Sequence, residues 1–164
     1  KEDSMPEKTI LIVDDEPHVQ QVLRIRLESV GYRVEVANDG LEALAMIREA
    51  QPDLVILDIM GVRGFELLDA AVKHKLPVAM LTAHALTPEA LKRSIEMMAR
   101  VYLPKEKMGE IVPFLEYVLK YEYLTGWNVL FKKLKGFFNE RWGKDWQKAD
   151  AGFWKEFNMK LLNC

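Results

Sequence analysis

Five short apolar runs recur along the chain, each followed by a stretch with helical spacing, and that alternation leaves few folds open. Thr9-Ile10-Leu11-Ile12-Val13 stops at Asp14-Asp15-Glu16-Pro17. Pro17 suits the first turn of a helix, and Val19, Val22, Leu23 and Leu27 keep helical spacing until Gly31. Arg33–Ala37 alternates as a strand, Asn38-Asp39-Gly40 turns, and Leu41, Leu44, Ala45 and Ile47 make a second helix ending near Pro52. Leu54–Leu57 is a third strand, with a helix around Phe65–Val72 after Gly64. Pro77–Thr82 is a fourth. Thr87 and Pro88 then supply an N-cap and a first-turn proline for a helix through Leu91, Ile95 and Met98. Val101-Tyr102-Leu103 is the fifth strand, and the fifth helix covers about Glu110–Lys120. Strands that are apolar on both faces belong in a parallel sheet covered by helices on each side, an α/β doubly wound architecture. Right-handed crossovers then bring every strand's C-terminal end to one edge.

Open α/β sheets bind their ligands at that edge. Here it carries Asp14 and Asp15 after strand one, Asp58 after strand three, Thr82 at the end of strand four and Lys105 just past strand five. Clustered carboxylates repel one another unless a cation neutralises them. Hard oxygen ligands with room for water suit Mg²⁺. A carboxylate can also attack phosphorus to give an acyl phosphate, whose charge an ammonium and a hydroxyl donor would stabilise. Taken alone, adjacent acids such as Asp14-Asp15 are more often favourable negative charge at a helix N-terminus than a metal site. The joint pattern of three acids, a threonine and a lysine points to a phospho-acceptor site.

Bulk composition excludes several alternatives. A chain of 164 residues with 49% hydrophobic residues can bury a real core. A net charge of −2 offers no global attraction to nucleic acid or to a membrane. No apolar run approaches the roughly 20 residues of a membrane span. The single cysteine, Cys164, precludes an internal disulfide and leads to the expectation of a cytoplasmic protein. Residues 1–7 show no periodicity and are expected to form a polar leader outside the fold.

Four segments carry a family resemblance: Ile10-Leu11-Ile12-Val13-Asp14-Asp15-Glu16, Val55-Ile56-Leu57-Asp58-Ile59-Met60, Met80-Leu81-Thr82-Ala83-His84 and Tyr102-Leu103-Pro104-Lys105. With them, residues 8–120 resemble the receiver domain of two-component response regulators. The resemblance implies a flavodoxin-like five-stranded parallel sheet in the order 2-1-3-4-5. It implies that Asp58 accepts a phosphoryl group from a histidine kinase or phosphotransfer protein. Asp15 would hold Mg²⁺ directly, Asp14 through water, and Asp58 with the backbone carbonyl of Met60 would complete the protein ligands. Lys105 would pair with the phosphoryl group and Thr82 would hydrogen-bond it. Tyr102 occupies the aromatic switch position, although it reads also as plain core.

Positions Met60 and His84 are those that tune phosphate lifetime in the family, while His84 reads too as a solvated loop residue, like His18 and His74. Such a protein is a switch acting in its own phosphorylation and dephosphorylation rather than an enzyme, signalling through the face around helix 4, strand 5 and helix 5 to a downstream protein. Two departures stand out. Asp58 to Gly64 is two residues shorter than the family's usual spacing and lacks its proline, and Lys105 is followed by Glu106 where the family has proline. A non-proline cis bond costs about 2.5–4 kcal/mol, so the Lys105–Glu106 bond is expected to be trans or its loop rebuilt. The shortened loop keeps a second reading open, a degenerate receiver serving as a phosphorylation-independent scaffold or dimerisation module. An aspartyl-phosphate phosphohydrolase would need an acid two places after Asp58, where Met60 stands.

Residues 121–164 form an aromatic-rich extension holding all four tryptophans. Trp127, Leu130, Phe131 and Leu134 lie on one helical stripe expected to end at Gly136, and Trp146, Ala149, Phe153, Phe157 and Leu161 make a second. Phe137–Gly143 is expected to connect them. The extension lacks the recognition-helix layout of a DNA-binding output domain, so no nucleic acid partner is expected. Packing back on the receiver and a partner or homodimer surface both remain open from the sequence.

Overall fold

The computed structural model describes residues 7–58, 63–83 and 86–164, except for the side chain of Arg63. Nearly all of the expected polar leader, and both Met60 and His84, lie outside the described residues. Five strands, β1 (Thr9–Val13), β2 (Arg33–Ala37), β3 (Leu54–Asp58), β4 (Val78–Thr82) and β5 (Val101–Pro104), pair in parallel in the order β2-β1-β3-β4-β5. This is the flavodoxin-like order. Every residue of β4 and β5 is buried, as is every residue of β3 up to Asp58, because the sheet is covered on both faces.

The covering helices are α1 (Pro17–Ser29), α2 (Gly40–Glu49), α3 (Arg63–Lys73), α4 (Pro88–Glu96) and α5 (Ile111–Lys120). Their starts follow the capping chemistry of the sequence. The Asp39 side chain accepts from the Glu42 amide at the head of α2, and Thr87 does the same for Ala90 at the head of α4. Gly31, at φ +99°, turns the chain out of α1 in a conformation that an L side chain rarely adopts. Between β5 and α5 the chain forms a short 3-10 helix over Lys105–Glu110. No cis peptide occurs among the described residues, so Lys105–Glu106 is trans.

The extension folds into α6 (Tyr123–Trp142), a 3-10 turn over Trp146–Asp150 and α7 (Ala151–Leu162). Two expectations fail here. Gly136 does not end the first helix, and Phe137–Trp142 is not a connector but its last turns. The reason is burial. The stripe of Trp127, Leu130 and Leu134 continues four residues on to Phe138, which is fully buried, and a mid-helix glycine costs only about 1 kcal/mol against that gain. Termination falls at Gly143, whose φ of +87° leaves the helix. In the second stripe Trp146 and Ala149 sit in the 3-10 turn, and Trp154, rather than Phe153, joins Phe157 as a buried ring of α7.

α6 packs on the receiver, against α5 and β5. Trp127 is completely buried and its Nε1 donates to the Ala99 carbonyl at 3.0 Å. The Tyr123 hydroxyl donates to the Ile95 carbonyl at 2.6 Å, and Trp142 Nε1 to that of Leu86 at 3.2 Å. Phe131 sits among Trp127, Phe138, Trp154 and Phe157, with ring centroids 5.9 to 6.1 Å away. These tilted and edge-on contacts bind α7 to α6.

Candidate phospho-acceptor site

The parallel register builds the rim. Val13 lies opposite Leu57, so Asp14 and Asp58 follow at the same level on neighbouring strands. Asp58 in turn lies opposite Leu81, and Thr82 opposite Pro104, which brings Asp58, Thr82 and Lys105 to successive strand ends. A shallow cavity of about 230 Å³ opens there, lined in part by Asp14, Asp15, Asn38, Asp39 and Asp58.

Lys105 is the hub of the charges. Its Nζ lies 2.6 Å from Glu16 Oε1, 3.0 Å from Asp14 Oδ2 and 3.2 Å from Asp58 Oδ2. Asp14 is nearly buried, and its Oδ1 accepts the Glu16 amide at 2.8 Å, a local turn just ahead of α1. Its Oδ2 is buried without a hydrogen-bond donor, since the lysine approaches outside donor geometry. The Gln20 amide nitrogen donates to the Asp14 carbonyl and, at 2.8 Å, to Asn38 Oδ1. Burial pushes the Asp14 carboxyl above its ordinary pKa, and the charge of Asp58 adds to that, against the lowering effect of the Glu16 amide and Lys105. For Lys105, burial acts to lower the pKa. Its hydrogen bond to Glu16, its close contact with Asp14 and the charges of Asp14 and Asp58 outweigh it, holding the ammonium above its usual range.

Oxygens of Asp14, Glu16 and Asp58 fall within 4.8 Å of one another. With all groups ionised, three carboxylates and one ammonium leave a formal charge of −2. That surplus, the donorless oxygen of Asp14 and an all-oxygen donor set fit a hard divalent cation such as Mg²⁺. Asp15 is exposed and lines the same cavity. Glu16 is the participant that sequence reasoning missed. Its visible signal was its place within the acidic run, but its partner Lys105 lies 89 residues away.

Thr82 and Tyr102 are both completely buried. The Tyr102 hydroxyl accepts the Thr87 amide at 3.2 Å and lies 3.4 Å from the Thr87 carbonyl, while its ring meets Phe138 of α6 at 6.4 Å. His18 and His74 are exposed.

The profile of the response regulator receiver domain matches residues 10–115, more than half of the chain and including every residue of the rim. The chain belongs to the response regulator receiver family. Response regulator MprA of Mycobacterium leprae is 40% identical over 100 residues, 58% of this receiver chain and 43% of MprA. DNA-binding response regulator MtrA of Mycolicibacterium smegmatis is 32% identical over 109 residues, 62% of this chain and 48% of MtrA. The chain thus spans about half the length of these curated relatives. Among solved structures, a CheY-like receiver domain protein from Methanospirillum hungatei superposes with a TM-score of 0.64 at 30% identity, covering 70% of this chain and 94% of that one. The receiver match stops within α5, so α6 and α7 lie beyond it. Among the described residues no helix is long and apolar enough to cross a membrane.

Proposed function

We propose that this protein is a response regulator of a phosphorelay, acting in the cytoplasm, in which Asp58 accepts a phosphoryl group from a histidine kinase or phosphotransfer protein. The observation that carries the reading is Lys105 Nζ held 3.2 Å from Asp58 Oδ2 and 3.0 Å from Asp14 Oδ2 at the C-terminal edge of the sheet. An Asp58 oxygen forms the new O–P bond as the P–N bond of the donor phosphohistidine breaks, and the imidazole nitrogen keeps the electron pair. Lys105 balances the charge arriving at Asp58, and Thr82, one residue past the strand partner of Asp58, offers its hydroxyl to a phosphoryl oxygen. Asp14 and Asp58, with Glu16 or Asp15 and the Met60 carbonyl, are the residues that would hold Mg²⁺. When bound, that ion neutralises phosphoryl charge. Output runs through protein contacts, for which α6 and α7 supply a helical surface beside the receiver.

The test is incubation with Mg²⁺ and acetyl phosphate followed by intact mass. A gain of one phosphoryl group, lost in Asp58→Asn and on chelation of the metal, is expected. Absence of the gain with both small donors and kinases favours the scaffold reading instead.

A further inference from the structure

We propose that the last turn of α6 is a latch coupled to the rim, so that phosphorylation of Asp58 and docking of α6–α7 weaken one another. The inference rests on the phospho-acceptor reading above. Two routes lead from the rim to this turn, and both are short. From Thr82 the chain runs into the segment before α4, where Trp142 Nε1 of α6 donates to the Leu86 carbonyl at 3.2 Å. One residue on, Thr87 meets the Tyr102 hydroxyl through both its amide and its carbonyl. The Tyr102 ring faces Phe138, which stacks on Trp142 with centroids 4.7 Å apart and planes 1° from parallel. From Lys105 the route is one residue: Glu106 accepts from Arg141 at 2.7 Å.

Phe138, Arg141 and Trp142 therefore grip the exits of β4 and β5 together. A phosphoryl group on Asp58 gives Lys105 a new anion and Thr82 a new acceptor. Each pulls on a backbone whose continuation, at Leu86 and Glu106, is hydrogen-bonded to α6. Close-packed contacts of this kind do not stretch gradually; they hold or repack. The latch also covers Tyr102 and the α4–β5–α5 face, so its release uncovers a surface that the chain's own extension occupies. Coupling of this kind is reciprocal.

The experiment follows amide hydrogen exchange across residues 123–162 of the full chain, with and without acetyl phosphate and Mg²⁺, with intact mass read on the same samples. Phosphorylated protein is expected to exchange about 5-fold or more faster there than unmodified protein. Trp142→Phe, which keeps a ring but removes the donor to Leu86, is expected to raise the modified fraction at a fixed donor concentration. Arg141→Met tests the second route in the same way. A phosphoryl mass gain with unchanged exchange in α6–α7 overturns the latch and leaves the phospho-acceptor site standing. No mass gain overturns both.

Discussion

At the rim, one ammonium is asked to balance three carboxylates, and that imbalance governs how single residues respond to change. Lys105→Met leaves Asp14 and Asp58 side by side without their cation. We expect it to destabilise the fold by about 1–3 kcal/mol, with added Mg²⁺ restoring part of the loss in a thermal melt. A variant that melts like the parent and ignores Mg²⁺ would show that Lys105 balances nothing. Tyrosine titration is a second test. Burial raises the Tyr102 pKa and pushes Tyr123 up to about 12, the latter against the lowering influence of Trp127 and Arg100. Because the folded form holds these protons more tightly than the unfolded chain, their contribution is complete below the ordinary tyrosine pKa of about 10. It is lost as pH rises through the folded values. Burial, with the charge of Glu116, also raises Tyr32, so phenolate absorbance should show three of the five tyrosines ionising late, with unfolding beginning in the same range. Normal ionisation of all five would contradict their burial. Glu16 marks a limit of sequence reading at this scale. Its helix-entry position was visible, but its bond to Lys105 depends on a parallel register that joins residues far apart in the chain.

Elements were legible wherever composition changes abruptly. The runs at Thr9–Val13 and Arg33–Ala37, and the Thr87-Pro88 helix start, coincide with β1, β2 and the head of α4 because apolar content and capping act locally. α6 was misread because a glycine is only a weak local signal, and tertiary burial of Phe138 decides the helix length. This makes a direct prediction. Gly136 is exposed, lies within α6 and has nothing within 4 Å of an added Cβ, so Gly136→Ala should stabilise the protein by about 0.5–1 kcal/mol. A loss of stability in chemical denaturation would mean that the helix breaks there after all. Trp127→Phe should have the opposite sign, about 1–3 kcal/mol, since it strands the Ala99 carbonyl in a buried setting.

In the whole molecule, the balance between charge and burial decides how the extension is held. Residues 121–164 carry eight Lys and Arg against five Asp and Glu, a charge of +3, which leaves −5 for residues 1–120. The ion pairs across the interface, Arg141 with Glu106 and Lys92 with Asp150, are largely exposed and screened by solvent, so they contribute little. Burial of Leu130, Leu134 and Phe138 contributes about 1.5–3 kcal/mol per side chain. Apolar contact wins, so docking should survive high salt, whereas deleting residues 121–164 should expose the Tyr102 face, increase binding of an apolar dye and lower the melting temperature. Dye binding and melting unchanged by the deletion would contradict a docked extension. All of this surrounds one proposed acceptor, and the most direct measurement is to treat the phosphorylated full chain with borohydride, which reduces an acyl phosphate to an alcohol, and to map the altered peptide. The account predicts a single reduced aspartate at Asp58. Reduction at Asp14 or Asp15 instead, or at no aspartate despite a phosphoryl mass gain, would contradict it.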